Sequence, residues 1–74
     1  MTNILSFVRA RNGAFDDETT RLMGEAFDAA CACFTDPNYS VREAIADRII
    51  DTAAHGERDP IRLRNAGVAA VKQR

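Results

Sequence analysis

The stretch over residues 40–60 constrains the fold most. It contains signals for the start of a helix, for its apolar face, for its end and for the start of a second helix. Ser40 and Glu43 form a capping box, in which each side chain pairs with a backbone N–H that the first helical turn leaves open. A helix is therefore predicted to begin at Val41. Only a helix gathers the apolar residues that follow into one stripe. They are Ile45, Ala46, Ile49, Ile50 and Ala53.

The end of this stretch predicts a tight connection to another helix. Gly56 can adopt the left-handed backbone conformation that closes a helix, while Asp59 and Pro60 supply an N-cap and a pre-set first turn. Because the connection has only about four residues, the two helices are predicted to be antiparallel or sharply angled neighbours. His55 is predicted to make a cap interaction at the C-terminus of the preceding helix.

A helix is also predicted before this stretch, from about Asp17 to Phe34. Asp16 is its expected N-cap, because an aspartate can accept a hydrogen bond from the first turn. A turn then follows, and Tyr39 is predicted to pack against the next helix as a hydrophobic staple. The predicted apolar face comprises Met23, Ala26, Phe27, Ala30, Cys33 and Phe34.

The last helix is predicted to begin at Pro60 and to reach about Lys72. Gly67 weakens an isolated helix, so its expected use is a close approach to a neighbouring helix. Ile61 and Val68 fall off the main face, either as exposed residues or as part of a second contact surface. The main face comprises Leu63, Ala66, Gly67, Ala70 and Val71.

These elements predict an all-α fold, a small three-helix domain over residues 14–74. Residues 1–13 form an N-terminal apolar arm or a short extra helix, since their pattern suits a helix or a strand. The arm carries four large apolar residues, which must be buried on this chain or on another. They are Ile4, Leu5, Phe7 and Val8.

Length and charge limit what such a chain can do. A chain of 74 residues buries only about 60% of the surface it exposes when unfolded, so a large internal active site is not expected. The net charge of −1 hides +2 over residues 1–11, −6 over residues 12–56 and +3 over residues 57–74. No membrane span or signal peptide is expected, which makes the cytoplasm the predicted location.

No set of residues points to catalysis, a metal or a cofactor. Cys31 and Cys33 are two residues apart in a helical pattern, which is poor geometry for a disulfide, and zinc needs about four ligands. His55 is the only histidine and has no recognisable nucleophile beside it in the sequence. We therefore expect a protein that is not an enzyme, with no cofactor, no metal and no small-molecule substrate.

Glu43, Asp47 and Asp51 repeat at intervals of four residues, which stacks them along one side of a helix. Like charges in a row repel, which suggests a basic partner or a divalent ion. The alternative is a solvated face that is relieved by Arg48 and by arginines of the following turn.

Basic residues cluster in the last third of the chain. A short turn between two helices, the second of them basic, suggests a helix-turn-helix that reads DNA. The acidic earlier helices oppose this interpretation, because phosphates would repel them. The candidate nucleic-acid contacts are Arg58, Arg62, Arg64 and Asn65.

Three segments resemble a group of small helical proteins of alphaproteobacteria such as rhizobia. The segments are residues 14–18, 44–50 and 56–64, and the resemblance extends over about residues 14–71. These relatives often have proline in place of Asp17, a change that a helix start accepts. The group has no established activity, so the resemblance implies a compact helical fold in a bacterial cytoplasm and no catalytic residue.

The sequence as a whole predicts a small non-enzymatic protein-interaction module that self-associates or binds another protein. The four apolar side chains of the arm are the predicted contacts, and the acidic row from Glu43 to Asp51 is a secondary electrostatic surface. The alternative is a small DNA-binding regulator that uses the basic third helix.

Overall fold

Three α-helices make up the fold in the computed structural model, which describes residues 15–72. Helix α1 is Asp17–Cys31, α2 is Tyr39–Ala54 and α3 is Pro60–Lys72. Each helix packs against the other two, which confirms the predicted all-α three-helix architecture. The predicted arm, including Ile4, Leu5, Phe7 and Val8, lies outside the described residues.

Helix α1 begins where the sequence predicts. The backbone N–H of Thr19 donates to Oδ1 of Asp16 at 2.8 Å, so Asp16 is the N-cap. Hydrogen bonds from Thr19 lower the pKa of the Asp16 carboxyl, because they favour its charged form. Asp17 and Glu18 add negative charge at the positive end of the helix dipole.

Helix α1 ends three residues earlier than predicted. After Cys31 the backbone tightens, with hydrogen bonds from the N–H of Cys33 to Ala30 and from that of Phe34 to Cys31, both at 3.1 Å. These bonds join residues three apart, as in a 3₁₀ turn, and Asp36 then has a φ of 55°. Cys33 is consequently exposed, so its predicted place on the apolar face is wrong, whereas Phe34 still packs against the core.

Helix α2 begins two residues earlier than predicted, and its cap is a different residue. Oδ1 of Asn38 accepts from the N–H of Val41 at 2.9 Å, so Asn38 is the N-cap and the predicted Ser40–Glu43 capping box is wrong. Tyr39 is the first helical residue and is 62% exposed, which also rules out the predicted staple. Asparagine ranks with serine as a cap, and extended backbone at Asn38 places its side chain over the first turn.

The connection between α2 and α3 follows the prediction. Gly56 has a φ of 102°, the left-handed conformation that glycine adopts without a steric cost. His55 is the C-cap of α2. The N–H of Ile61 donates to Oδ1 of Asp59 at 2.9 Å, and the N–H of Leu63 donates to the Asp59 carbonyl, so Asp59 caps α3.

The core lies where the three helices meet. Its largest fully buried side chains are Met23, Ile45, Ile49 and Leu63, which come from all three helices. Half-buried apolar residues surround the core. They are Phe15, Cys31, Phe34, Val41, Val68 and Val71.

Gly67 lets α3 approach α2 closely, as predicted. A Cβ built at this position would lie 2.9 Å from Cγ2 of Ile45 and 3.1 Å from Cγ1 and Cδ1 of Ile49. The distance to Ile45 is a steric overlap and the two distances to Ile49 are tighter than ordinary contacts, so a methyl group here would require the isoleucines to shift. Two core isoleucines therefore pack directly on the backbone of α3.

Substituting Gly67→Ala is expected to destabilise the protein. Overpacking costs about 1–3 kcal/mol, and the helix propensity of alanine returns about 1 kcal/mol. Cγ2 of Ile45 is attached to the β-carbon, where a branched side chain has little freedom to move. We expect a net loss of about 1 kcal/mol in the free energy of unfolding, measured by urea denaturation.

The Ile45→Ala background supplies the control for this steric explanation. Removing Cγ2 of Ile45 clears the closest contact, so Gly67→Ala is expected to become neutral or stabilising there. An equal loss in both backgrounds would contradict the explanation.

A second pair of substitutions tests the cap of α2. Asn38→Ala is expected to lower the free energy of unfolding by about 1 kcal/mol, because it leaves an N–H of the first turn without its side-chain acceptor. Ser40→Ala is expected to change it by less than about 0.5 kcal/mol, as for a surface position. The two losses are measured by thermal or urea unfolding. A larger loss for Ser40→Ala than for Asn38→Ala would mean that the Ser40–Glu43 capping box, and not Asn38, caps α2.

Candidate protein-interaction surfaces

A shallow groove of roughly 210 Å³ lies between α1 and α3. Ile61 stands at its edge with 59% of its surface exposed. The residues that line the groove are Glu25, Ala26, Ala29, Pro60, Ile61 and Arg64. Its floor is apolar and its rim carries one acidic and one basic residue.

The groove follows from how α3 is anchored. Leu63 is fully buried, and Ile61 lies two residues earlier, roughly 200° away around the helix. This rotation directs Ile61 away from the core and towards α1. There the small side chains of Ala26 and Ala29 leave room beside it. The sequence predicted that Ile61 lies off the main face, but not that it lies beside these alanines.

The charged residues at the rim already make contacts on their own helices. Nη1 of Arg21 donates to Oε1 of Glu25 at 3.1 Å, and both side chains are mostly exposed. Nη2 of Arg64 donates to Oδ1 of Asn65 at 3.0 Å. Exposed pairs of this kind contribute little to stability and exchange readily with water, so the rim can form new contacts.

An acidic stripe leads along α1 to the groove. Glu18, Leu22, Glu25 and Ala29 follow one another at helical spacing, so they share one side of α1. Leu22 is half-buried, and the two glutamates and Ala29 are exposed. The stripe therefore combines negative charge with apolar surface from the start of α1 to the groove.

The predicted acidic row lies on α2. Glu43, Asp47 and Asp51 are exposed, and the last two line an open depression between α2 and α3. Arg48 lines the same depression, and the His55 ring lies 3.9 Å from the Asp51 carboxylate. Within residues 15–72, no group of three acidic, histidine or cysteine side chains is arranged to hold a metal ion.

Arg58 and Arg62 contact residues of the turn and of the end of α2. Nη1 of Arg58 donates to the carbonyl oxygens of Ala53 and Glu57, at 2.7 and 2.8 Å. Arg58 thus satisfies a carbonyl at the C-terminus of α2, where the helix dipole favours a cation. Nη1 of Arg62 lies 3.7 Å from Oε1 of Glu57.

The four predicted nucleic-acid residues are spread over the turn and the first half of α3. Arg58, Arg62, Arg64 and Asn65 each have a partner within the chain, as described above. Arg58 has a structural role at the end of α2, which the sequence alone did not indicate. The lysine and arginine content of α3 was visible in the sequence, whereas these pairings were not.

Cys31 and Cys33 lie at and just after the end of α1, and His55 is at the end of α2. Both thiols are free, and burial raises the pKa of Cys31, which disfavours the reactive thiolate. The Cys33 thiol lies 3.5 Å from the Ala29 carbonyl oxygen. Nδ1 of His55 lies 2.8 Å from the Asp51 carbonyl oxygen, the C-terminal cap interaction that the sequence predicts.

The chain matches no protein-family model, no curated protein and no solved structure. Among the described residues, no helix is both long enough and apolar enough to span a bilayer. The predicted contact residues of the arm lie outside the described part, so the structure locates the acidic row and the candidate nucleic-acid residues only.

Arg58→Ala is expected to reduce stability, because the Ala53 carbonyl near the end of α2 loses a charged donor. We expect a loss of about 1 kcal/mol in the free energy of unfolding, below the usual range for charged hydrogen bonds because the site is partly solvated. Arg62→Ala, which removes a longer and exposed ion pair, is the matched control with an expected change of less than about 0.5 kcal/mol. Equal effects of the two substitutions in urea denaturation would contradict this role.

Proposed function

We propose that this protein is a small non-enzymatic protein-interaction module and that the groove between α1 and α3 is its docking site. The observation that carries the proposal is Ile61, a large aliphatic residue that is 59% exposed beside an apolar groove. Binding at such a site removes apolar surface from water, which contributes about 25 cal/mol per Å².

The groove suits one anchoring side chain from a partner. Interfaces draw most of their binding energy from a few residues that fill pockets, with polar residues around them. Here the pocket walls are the alanines of α1 and the ring of Pro60, and the rim is Glu25 and Arg64. A leucine, isoleucine or phenylalanine of the partner would fill this space.

The charges on α1 indicate which charged residues the partner would carry beside its anchoring side chain. Glu18 and Glu25 flank the path to the groove, so basic residues beside the anchor would be attracted and acidic residues would be repelled. The expected partner is therefore a protein segment with an apolar side chain and neighbouring lysines or arginines. The acidic row of α2 is a secondary surface, and it is negatively charged like the stripe on α1.

The groove is too small to form a stable dimer interface by itself. A stable interface buries about 800 Å² on each partner, and a groove that accepts one side chain supplies only part of that area. A stable dimer would therefore need further surfaces, such as the predicted arm contacts or the acidic row of α2. A partner that binds through the groove alone would bind transiently.

The DNA-binding alternative has less support. Arg58 contacts the end of α2 and Arg62 contacts Glu57 of the turn, and a duplex that approached α3 would also meet the acidic side chains of α1 and α2. Arg64 and Asn65 remain its main candidates for contacts with bases.

Ile61→Asp is expected to abolish capture of protein partners by the immobilised full chain from a bacterial extract. Tyr39→Ser is the matched control, since Tyr39 is also a large exposed residue but does not line the groove. A captured protein would then be purified and titrated against each variant. We expect at least a tenfold weaker Kd for Ile61→Asp, or about 1.4 kcal/mol, and an unchanged Kd for Tyr39→Ser.

Two outcomes would overturn the proposal. Binding that is equal for the wild type and Ile61→Asp would exclude the groove as the docking site. Salt-dependent binding to duplex DNA that is lost on replacing Arg62 and Arg64 by alanine would favour the DNA-binding alternative instead.

A further inference from the structure

We propose that the groove between α1 and α3 binds a second copy of this chain. The two copies form a transient, two-fold symmetric dimer, in which α3 of each copy lies on α1 of the other. This inference rests on the proposed function, because it names an occupant for the same groove. It follows from the charges and the shapes of the two groove walls.

The two walls of the groove carry opposite charge. One wall is α1, which has four acidic residues and one basic residue, a net charge of −3. The other wall is α3, which has three basic residues and no acidic residue, a net charge of +3. At the groove itself, Glu25 stands on the first wall and Arg64 on the second. Such a surface attracts a copy of itself that is turned so that unlike walls meet.

These charges decide how the second copy is placed. A symmetric dimer uses the same surface patch on both copies, around a two-fold axis in the plane of contact. If the axis ran across the groove, α1 would meet α1 and α3 would meet α3, and like charges would repel. When the axis runs along the groove, each α1 meets the α3 of the other copy. Because Glu25 and Arg64 line the same small groove, this placement brings Glu25 of each copy to Arg64 of the other.

The shapes of the two walls are complementary in the same placement. Ile61 projects from the α3 wall with 59% of its surface exposed, whereas the α1 wall has the small side chains of Ala26 and Ala29. Ile61 of each copy therefore meets the alanines of the other, which removes apolar surface from water on both. Arg62 and Arg64 follow Ile61 in the sequence, so α3 is itself an apolar segment with neighbouring basic residues, the kind of partner that the groove suits.

The size of the groove sets the strength of the dimer. A standard interface buries about 800 Å² on each partner, and this contact supplies only part of that area. We expect a dissociation constant of roughly 0.1–1 mM, so the protein should be a monomer at low micromolar concentration and partly dimeric at about 1 mM.

Charge reversal tests the placement by sedimentation equilibrium of the full chain. Glu25→Arg makes both walls basic at the groove, and Arg64→Glu makes both walls acidic. Each variant alone is expected to self-associate at least tenfold more weakly than the wild type, because like charges then meet twice in the dimer. An equimolar mixture of the two variants is expected to associate about as tightly as the wild type, because every acidic residue again faces a basic one.

Glu43→Arg is the matched control, since it makes the same change of charge as Glu25→Arg but on α2. It should leave self-association unchanged, and circular dichroism verifies that all three variants keep their helices. A wild type that stays monomeric at about 1 mM, or two variants that fail to associate when mixed, would overturn the proposal.

Isotope-filtered NMR spectroscopy of the wild type supplies a test that needs no substitution. Labelled and unlabelled chains are mixed at a concentration where the protein is partly dimeric. We expect nuclear Overhauser effects between the δ1 methyl of Ile61 in one molecule and the β methyl of Ala29 in another. A dimer without these effects would use a different surface and would contradict the proposal.

This inference and the proposed function fail in different experiments. Capture of another protein that depends on Ile61, by a chain that stays monomeric, would overturn this inference and leave the proposed function standing. If Ile61→Asp changes neither the capture of other proteins nor self-association, the groove is not a docking site and both are wrong.

Discussion

The rest of the structure depends on the contact between Gly67 and two core isoleucines. With no side chain at this position, the backbone of α3 lies directly against Ile45 and Ile49 of α2. This approach brings Leu63 into the core, where it also meets α1. One absent methyl group thus determines how closely the third helix joins the other two.

The same anchoring produces the candidate site. Because Leu63 points inward, Ile61 points out beside the alanines of α1, and the fold cannot bury both. A small domain buries a modest share of its surface, so one exposed isoleucine is an ordinary consequence of packing. The proposed docking of a basic, apolar segment rests on the position of Ile61 in an apolar groove at the end of an acidic stripe. Function is proposed from that combination and not from exposure alone.

Local signals in the sequence predicted most of the helix ends, and tertiary packing decided what they missed. Asp16, Gly56 and Asp59 were predictable because each acts on its own backbone within a few residues. At the start of α2, Asn38 and Ser40 are competing caps of similar strength, and the sequence did not rank them. The groove was not predictable, because it joins Ile61 to residues of α1 that are more than thirty positions away in the chain.

The most direct test of this account is the proximity of Gly67 to Ile45, on which the packing of α3 depends. The nuclear Overhauser spectrum of the full chain should show a strong effect between the α-protons of Gly67 and the γ2 methyl of Ile45. That result would place α3 against α2 in the register described, with Ile61 beside α1. Absence of this effect in a protein with full helical content would mean that α3 packs differently, and the groove would lose its structural basis.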